Sequence, residues 1–128
     1  MAAKSHSLDN ALLSAVLRNV SYTSPATVYA ALFTVAPTPS TAGTEVSGGS
    51  YARVAVTFGA PALGVTSNSA PVAFPTATAD WGTVAAVAIM DALSGGNLLY
   101  FGALTTPKAV DNGDTASFAA AALSLTEQ

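Results

Sequence analysis

The sequence contains no cysteine, one histidine, and four lysines and arginines against seven aspartates and glutamates. Without cysteine, neither a disulfide framework nor a thiolate metal site is available. The single histidine, His6, lies in an N-terminal segment, which leaves a Ser-His-Asp or Cys-His device without a placed base. The strong bases Lys4, Arg18, Arg53 and Lys108 are scattered along a chain of net charge −3, so no basic patch forms for nucleic acid. Long apolar runs are missing too. Mean hydropathy is +0.48, yet nothing approaches the roughly 18 to 20 apolar residues of a membrane-spanning helix. Ser14, Arg18 and Asn19 interrupt the first twenty residues, which therefore lack a signal peptide's continuous apolar stretch, and cytoplasmic synthesis is expected.

Charge is the scarcest property. Charged residues make up 9% of the chain, against roughly 25% in ordinary soluble domains. A surface with so little charge presents apolar patches of the kind that mark interfaces, and a subunit of an assembly is expected. At 128 residues the chain is long enough for a core of its own.

What is present reads as short strands behind one helix. The centre is Trp81–Thr105, two apolar strands (Val84–Met90 and Leu98–Leu104) joined by the turn formers Asp91, Ser94, Gly95, Gly96 and Asn97. Their unbroken apolarity predicts cover on both faces. Ser7 is the predicted N-cap of a helix over Leu8–Asn19, with Asp9 in its first turn. Leu8, Leu12, Val16 and Val20 recur at four-residue spacing, with Leu13 and Leu17 beside them, as a broad apolar stripe. After Ser24-Pro25, strands are predicted at Val28–Val35, Tyr51–Phe58, Val65–Ser67 and Val72–Phe74, with a closing strand around Leu123 and Leu125. In Tyr51–Phe58 the alternation puts Ala52, Val54, Val56 and Phe58 on one face and leaves Tyr51, Arg53, Ala55 and Thr57 wet. The organisation is an N-terminal segment (1–24) carrying an amphipathic helix, then a single β domain (25–128). The fold class is mainly β: an antiparallel β-sandwich or barrel-like fold of about seven or eight short strands with one N-terminal α-helix.

The residues offer little chemistry. Asp80 and Asp91 are the one carboxylate pair worth testing as acid and base, but they flank a strand of roughly 20 Å, too far apart to share a bond. Asp111-Asn112-Gly113-Asp114 carries oxygen ligands without a full calcium loop and reads as a turn. Trp81 reads as a core anchor; the alternative is an exposed sugar platform. The Ser47-Gly48-Gly49-Ser50 turn lacks the lysine and spacing of a phosphate loop. No catalytic residue, metal or cofactor is expected.

The ordered string Gly43–Arg53, Val56-Thr57-Phe58, Asn68-Ser69-Ala70, Phe74-Pro75, Ala79–Val84, Asp91-Ala92, Gly95–Leu99, Gly102–Thr105 and Lys108 resembles a family of small tailed-bacteriophage proteins often labelled tail fibre proteins. The N-terminal helix and the Tyr22-Thr23-Ser24-Pro25 step belong to the same resemblance. It implies a structural virion protein: a capsid decoration (cement) protein or, as the alternative, a tail fibre or tail-associated host-adhesion module. The absence of shaft repeats and of an enlarged loop surface favours decoration. The adhesion reading requires Trp81, Tyr51 and Tyr100 to be exposed. The implied partners are the major capsid protein or other virion proteins and further copies of the chain, as a trimer, with no nucleic acid and no membrane. Contact residues are expected on the helix, at Leu8, Leu12 and Val16, and on the glycine-rich loop and its flank, at Glu45, Tyr51 and Arg53.

Overall fold

Three long apolar segments fix the architecture of the computed structural model, which describes residues 3–126. In chain order the elements are β1 (Ala3–Lys4), α1 (His6–Leu17), β2 (Val28–Val35), β3 (Thr44–Glu45), β4 (Val54–Val56), β5 (Val65–Ser67), β6 (Val72–Ala73), β7 (Gly82–Met90), β8 (Leu98–Val110), β9 (Ser117–Phe118) and β10 (Ser124–Thr126). Strand β7 lies between β2 and β8, antiparallel to both, with Ala88 opposite Ala31 on one side and Phe101 on the other. Successive side chains of β2 and β7 enter two separate cores. Leu32, Val87 and Ile89 face one; Ala31, Phe33, Ala86, Ala88 and Met90 face the other. Strand β7 is thus covered on both faces, as its apolar run predicts, whereas β8 is covered only over its first residues and Ala103 is exposed.

The first core is closed by two short ladders, β5 with β10 and β6 with β9, which bring Val72, Phe74, Leu123 and Leu125 onto the long sheet. The result is a sandwich-like, mainly β fold with one N-terminal helix. Asn68 clasps the upper layer. Only 2% exposed, it donates from Nδ2 to the carbonyls of Ala70 (2.8 Å) and Ala119 (3.0 Å), and its Oδ1 accepts the Leu123 N–H at 2.9 Å. A buried amide with every polar atom paired holds a unique register in a way that an apolar side chain does not.

The structure departs from the sequence reading at several places. The helix begins at His6, because Ser5 and not Ser7 is the N-cap: the Ser5 Oγ accepts the Leu8 N–H at 3.2 Å. Strand β8 runs on to Val110. Its pairing jumps from Ala86↔Ala103 to Val84↔Lys108, so Leu104–Pro107 bulge out, and Pro107 sits where the ladder is already broken. The strand predicted over 51–58 contracts to Val54–Val56, with Ala52 exposed and Tyr51 and Arg53 half-buried. The cause lies just upstream. Gly48, Gly49 and Ser50 all have positive φ, and the Tyr51 N–H turns back to the Gly48 carbonyl at 2.9 Å, so the chain is still turning when it reaches Tyr51. The two-residue strands β1, β3 and β9 carry too short a pattern to be read from sequence.

Candidate functional site

Two regions collect the side chains expected at contacts. The first is α1. Its N-terminus is bolted down: the Ser5 Oγ donates to the Leu98 carbonyl, the Ser5 N–H to the Leu99 carbonyl (3.1 Å), and the His6 N–H to the Pro39 carbonyl (2.9 Å). Leu8 is buried and Leu12 packs beside it on the sandwich core. The other half of the helix is bare. Leu13, Val16 and Leu17 are 56%, 78% and 74% exposed, and Val20 and Tyr22 extend the patch just beyond the helix. The helix ends where the Arg18 and Val20 N–H groups converge on the Ser14 carbonyl and Asn19 takes a left-handed φ of 55°.

Leu8, Leu12 and Val16 therefore do not form one surface. At about 100° per residue a four-residue step overshoots a full turn by roughly 40°, so a stripe starting at Leu8 has rotated by roughly 80° at Val16. Leu8 and Leu12 face their own domain; Val16 joins Leu13 and Leu17 in facing away. The helical phase of the sequence contains this signal, which a reading of equal i+4 spacing misses.

The second region unites Glu45, Tyr51 and Arg53. The Glu45 carboxylate accepts the Tyr51 hydroxyl (2.7 Å) and two guanidinium bonds from Arg53, Nε to Oε2 and Nη2 to Oε1, both 2.8 Å. The Arg53 Nη1 reaches across to the β7–β8 turn and donates to the carbonyls of Ala92 and Gly95, each at 2.8 Å. The Tyr51 oxygen also accepts the Leu32 N–H at 3.0 Å, while the Leu32 carbonyl takes the Val46 N–H. A phenol thus completes the edge of β2 in the gap between its partners β3 and β4. Beneath the latch the Tyr51 ring meets Trp81 edge-on at 5.3 Å, and the indole Nε1 donates to the Gly49 carbonyl at 2.9 Å. Gly49 has no substitute there, since a Cβ would stand 2.8 Å from that nitrogen. The three sequence-predicted residues come together, with their polar atoms turned into the chain's own loops.

Trp81, 5% exposed, is the core anchor. With Tyr51 and Tyr100 half-buried, the exposed aromatic platform required by the sugar-binding reading does not form. Asp80 and Asp91 flank β7, and both build turns: Asp80 accepts the Asn112 N–H at 2.9 Å, Asp91 the Asn97 N–H at 2.6 Å. The 111–114 segment closes on itself through the Asp114 N–H and the Asp111 carbonyl at 2.9 Å. Among the described residues, no helix is long and apolar enough to cross a membrane.

Residues 3–126 match the model of a family described as podophage GP4 fiber I protein gp80. The chain belongs to this family. No curated protein matches it. Membership in the fibre I family makes the chain a tailed-phage virion protein, as the ordered motifs from Gly43 to Lys108 implied. Several of those motifs now have structural roles. Glu45, Tyr51 and Arg53 form the latch, Gly49 and Trp81 its floor, and Asn68 the clasp.

The latch gives the fibre I fold a pH dependence. Burial alone would raise the Glu45 carboxyl, but the bonds from Arg53 and Tyr51 outweigh it and hold the group below its ordinary 4.5. The folded state then binds fewer protons than the unfolded one just below that pH, so the stabilisation is complete above 4.5 and is lost as pH falls through the folded value. Tyr51 acts at the other end. Burial, reinforced by its bond to Glu45, raises its hydroxyl above the ordinary 10.0, and that contribution is lost as pH rises past 10.0. Melting temperatures measured between about pH 3 and 6 should fall on acidification, and fall less steeply in Glu45→Gln, whose side chain does not titrate. Equal slopes in the two proteins would remove Glu45 from the acid limb.

Proposed function

We propose that this chain is a non-catalytic structural subunit of the virion's tail fibre apparatus that attaches through the bare half of α1. The observation that carries the reading is the exposed row Leu13, Val16 and Leu17 on a helix whose other half is already fixed to a closed sandwich. Exposed apolar side chains grouped on one element mark a protein contact, and burying each one fully contributes about 1.5–3 kcal/mol. The fibre location rests on the family description, and homo-oligomerisation on the scarcity of surface charge. Supplied in trans to a phage lacking the gene, a Val16→Asp/Leu17→Asp protein should fold normally, since both sites are exposed, and should be missing from purified particles. Normal incorporation would refute the attachment surface.

Head decoration is the second reading. It is favoured by the small sandwich, which among the described residues carries neither shaft repeat nor enlarged tip loops, and it assigns the same helix face to a capsid lattice. The major capsid protein is then the partner.

A further inference from the structure

The bare half of α1 has a counterpart elsewhere on the same molecule. Between β8 and the segment leading into β9 lies a cleft of about 370 Å³ whose wall includes Leu32, Val84, Leu104 and Phe118, with Asp114 and Lys108 also lining it. Asp80 and Asp111 belong to the same corner, since Asp80 accepts the Asn112 N–H and Asp114 bonds Asp111. Of the three carboxylates only Asp114 lines the cleft with Lys108, while Asp111 sits beside it on the exposed 111–114 turn to which Asp80 is bonded, and none has an ion-pair partner among the described residues. The helix presents the complement. Arg18 follows Leu17 directly, is exposed, and has no ion pair among the described residues.

The helix is anchored at one end of the long sheet and the cleft lies at the other. α1 is anchored where β8 begins, at Leu98 and Leu99, whereas the cleft borders Val110, where it ends. The pairing of β7 with β8 spans eight steps between these ends, roughly 26 Å at about 3.3 Å per residue. No residue of the chain's own helix lines the cleft.

Resting on the reading of the chain as an assembling virion subunit, we infer that the occupant of this cleft is the α1 C-terminal half of a second copy. Val16 and Leu17 enter between Leu104 and Phe118, and Arg18 meets the acidic 111–114 turn. Knob and cleft are different surfaces, so the contact is heterologous. Each copy docks onto one neighbour and receives another, which gives a ring if the rotation closes and a filament if it does not. The oppositely charged rim fixes orientation, and its contribution falls with salt.

Sedimentation velocity on the purified full chain over a concentration series tests this. The wild type should grow beyond a monomer with concentration, Val16→Asp/Leu17→Asp should stay monomeric, and Arg18→Glu should dissociate at least tenfold more readily. Asp111→Lys, at an exposed side chain, should restore association to Arg18→Glu. The Val16→Asp/Leu17→Asp protein keeps its cleft, so in excess it should cap wild-type oligomers and shorten them to pairs. A wild type that is monomeric throughout, an unrescued Arg18→Glu, or oligomers that ignore the excess knob-less protein would each overturn the inference. The last result would indicate helix-on-helix pairing instead. A monomeric chain that is nonetheless present in tails would end this inference alone, whereas a self-associating chain absent from particles would end the functional reading.

Discussion

Replacing Asn68 with leucine should destabilise the fold by about 2–4 kcal/mol, although the two side chains are similar in size. The amide pairs two carbonyls and one N–H in a site only 2% exposed; leucine leaves the buried Leu123 N–H and the Ala70 carbonyl without partners, while the Ala119 carbonyl keeps the Ala122 N–H. Each buried orphan costs about 1–3 kcal/mol. The Ala70 and Ala119 carbonyls require the donor end and the Leu123 N–H the acceptor end, so Asn68→Asp should also fail: its carboxylate would face two carbonyl oxygens. Urea unfolding followed through the buried Trp81 gives the measurement. A loss below about 1 kcal/mol for Asn68→Leu would mean that water or backbone movement satisfies these groups.

Glu45→Ala should cost about 2 kcal/mol, below the roughly 3–5 kcal/mol for removing one partner of a fully buried pair, because the pair is only partly buried and Arg53 keeps its bonds to Ala92 and Gly95. The Arg53 side chain, 8% exposed, would keep its charge and lose its bidentate carboxylate, while the Tyr51 hydroxyl would lose its acceptor. Arg53→Ala should cost less, because Glu45 retains 25% exposure and can recruit water. The double variant should be more stable than the sum of the two losses predicts, since with both gone no charge is stranded. Arg53→Ala has a local signature as well. Without the bonds to Ala92 and Gly95, amide exchange should quicken in the 91–97 turn while the Asn68 region stays protected. Additive losses and an unchanged turn would show that the three residues do not act together.

Much of this fold could be read from residue pattern. Val28–Val35 and Val65–Ser67 form strands with the predicted limits, because apolar and β-branched runs bounded by proline and glycine leave few alternatives. The hairpin around Gly95-Gly96 was legible for the same reason. What escaped depends on tertiary position. Tyr51 and Arg53 alternate like wet strand residues, yet three left-handed residues before them turn the phenol into the edge of β2. Nothing local distinguishes Asn68 from a turn asparagine, since its bond to Ala70 is one a turn would make and its other two partners stand 51 and 55 residues away. The apolar stripe of α1 was visible; its division into a packed half and a bare half follows from helical phase and from the anchoring of Ser5 against β8.

The most direct test of the fibre-subunit account is the copy number of this protein in purified particles whose heads and tails are separated before quantitation by mass spectrometry. A small, fixed number of copies in the tail fraction is the predicted result, and it would make the α1 face the surface to map on the assembled tail. Abundance in the head fraction comparable to the major capsid protein would contradict the tail assignment and turn the same helix into a clamp on the capsid lattice.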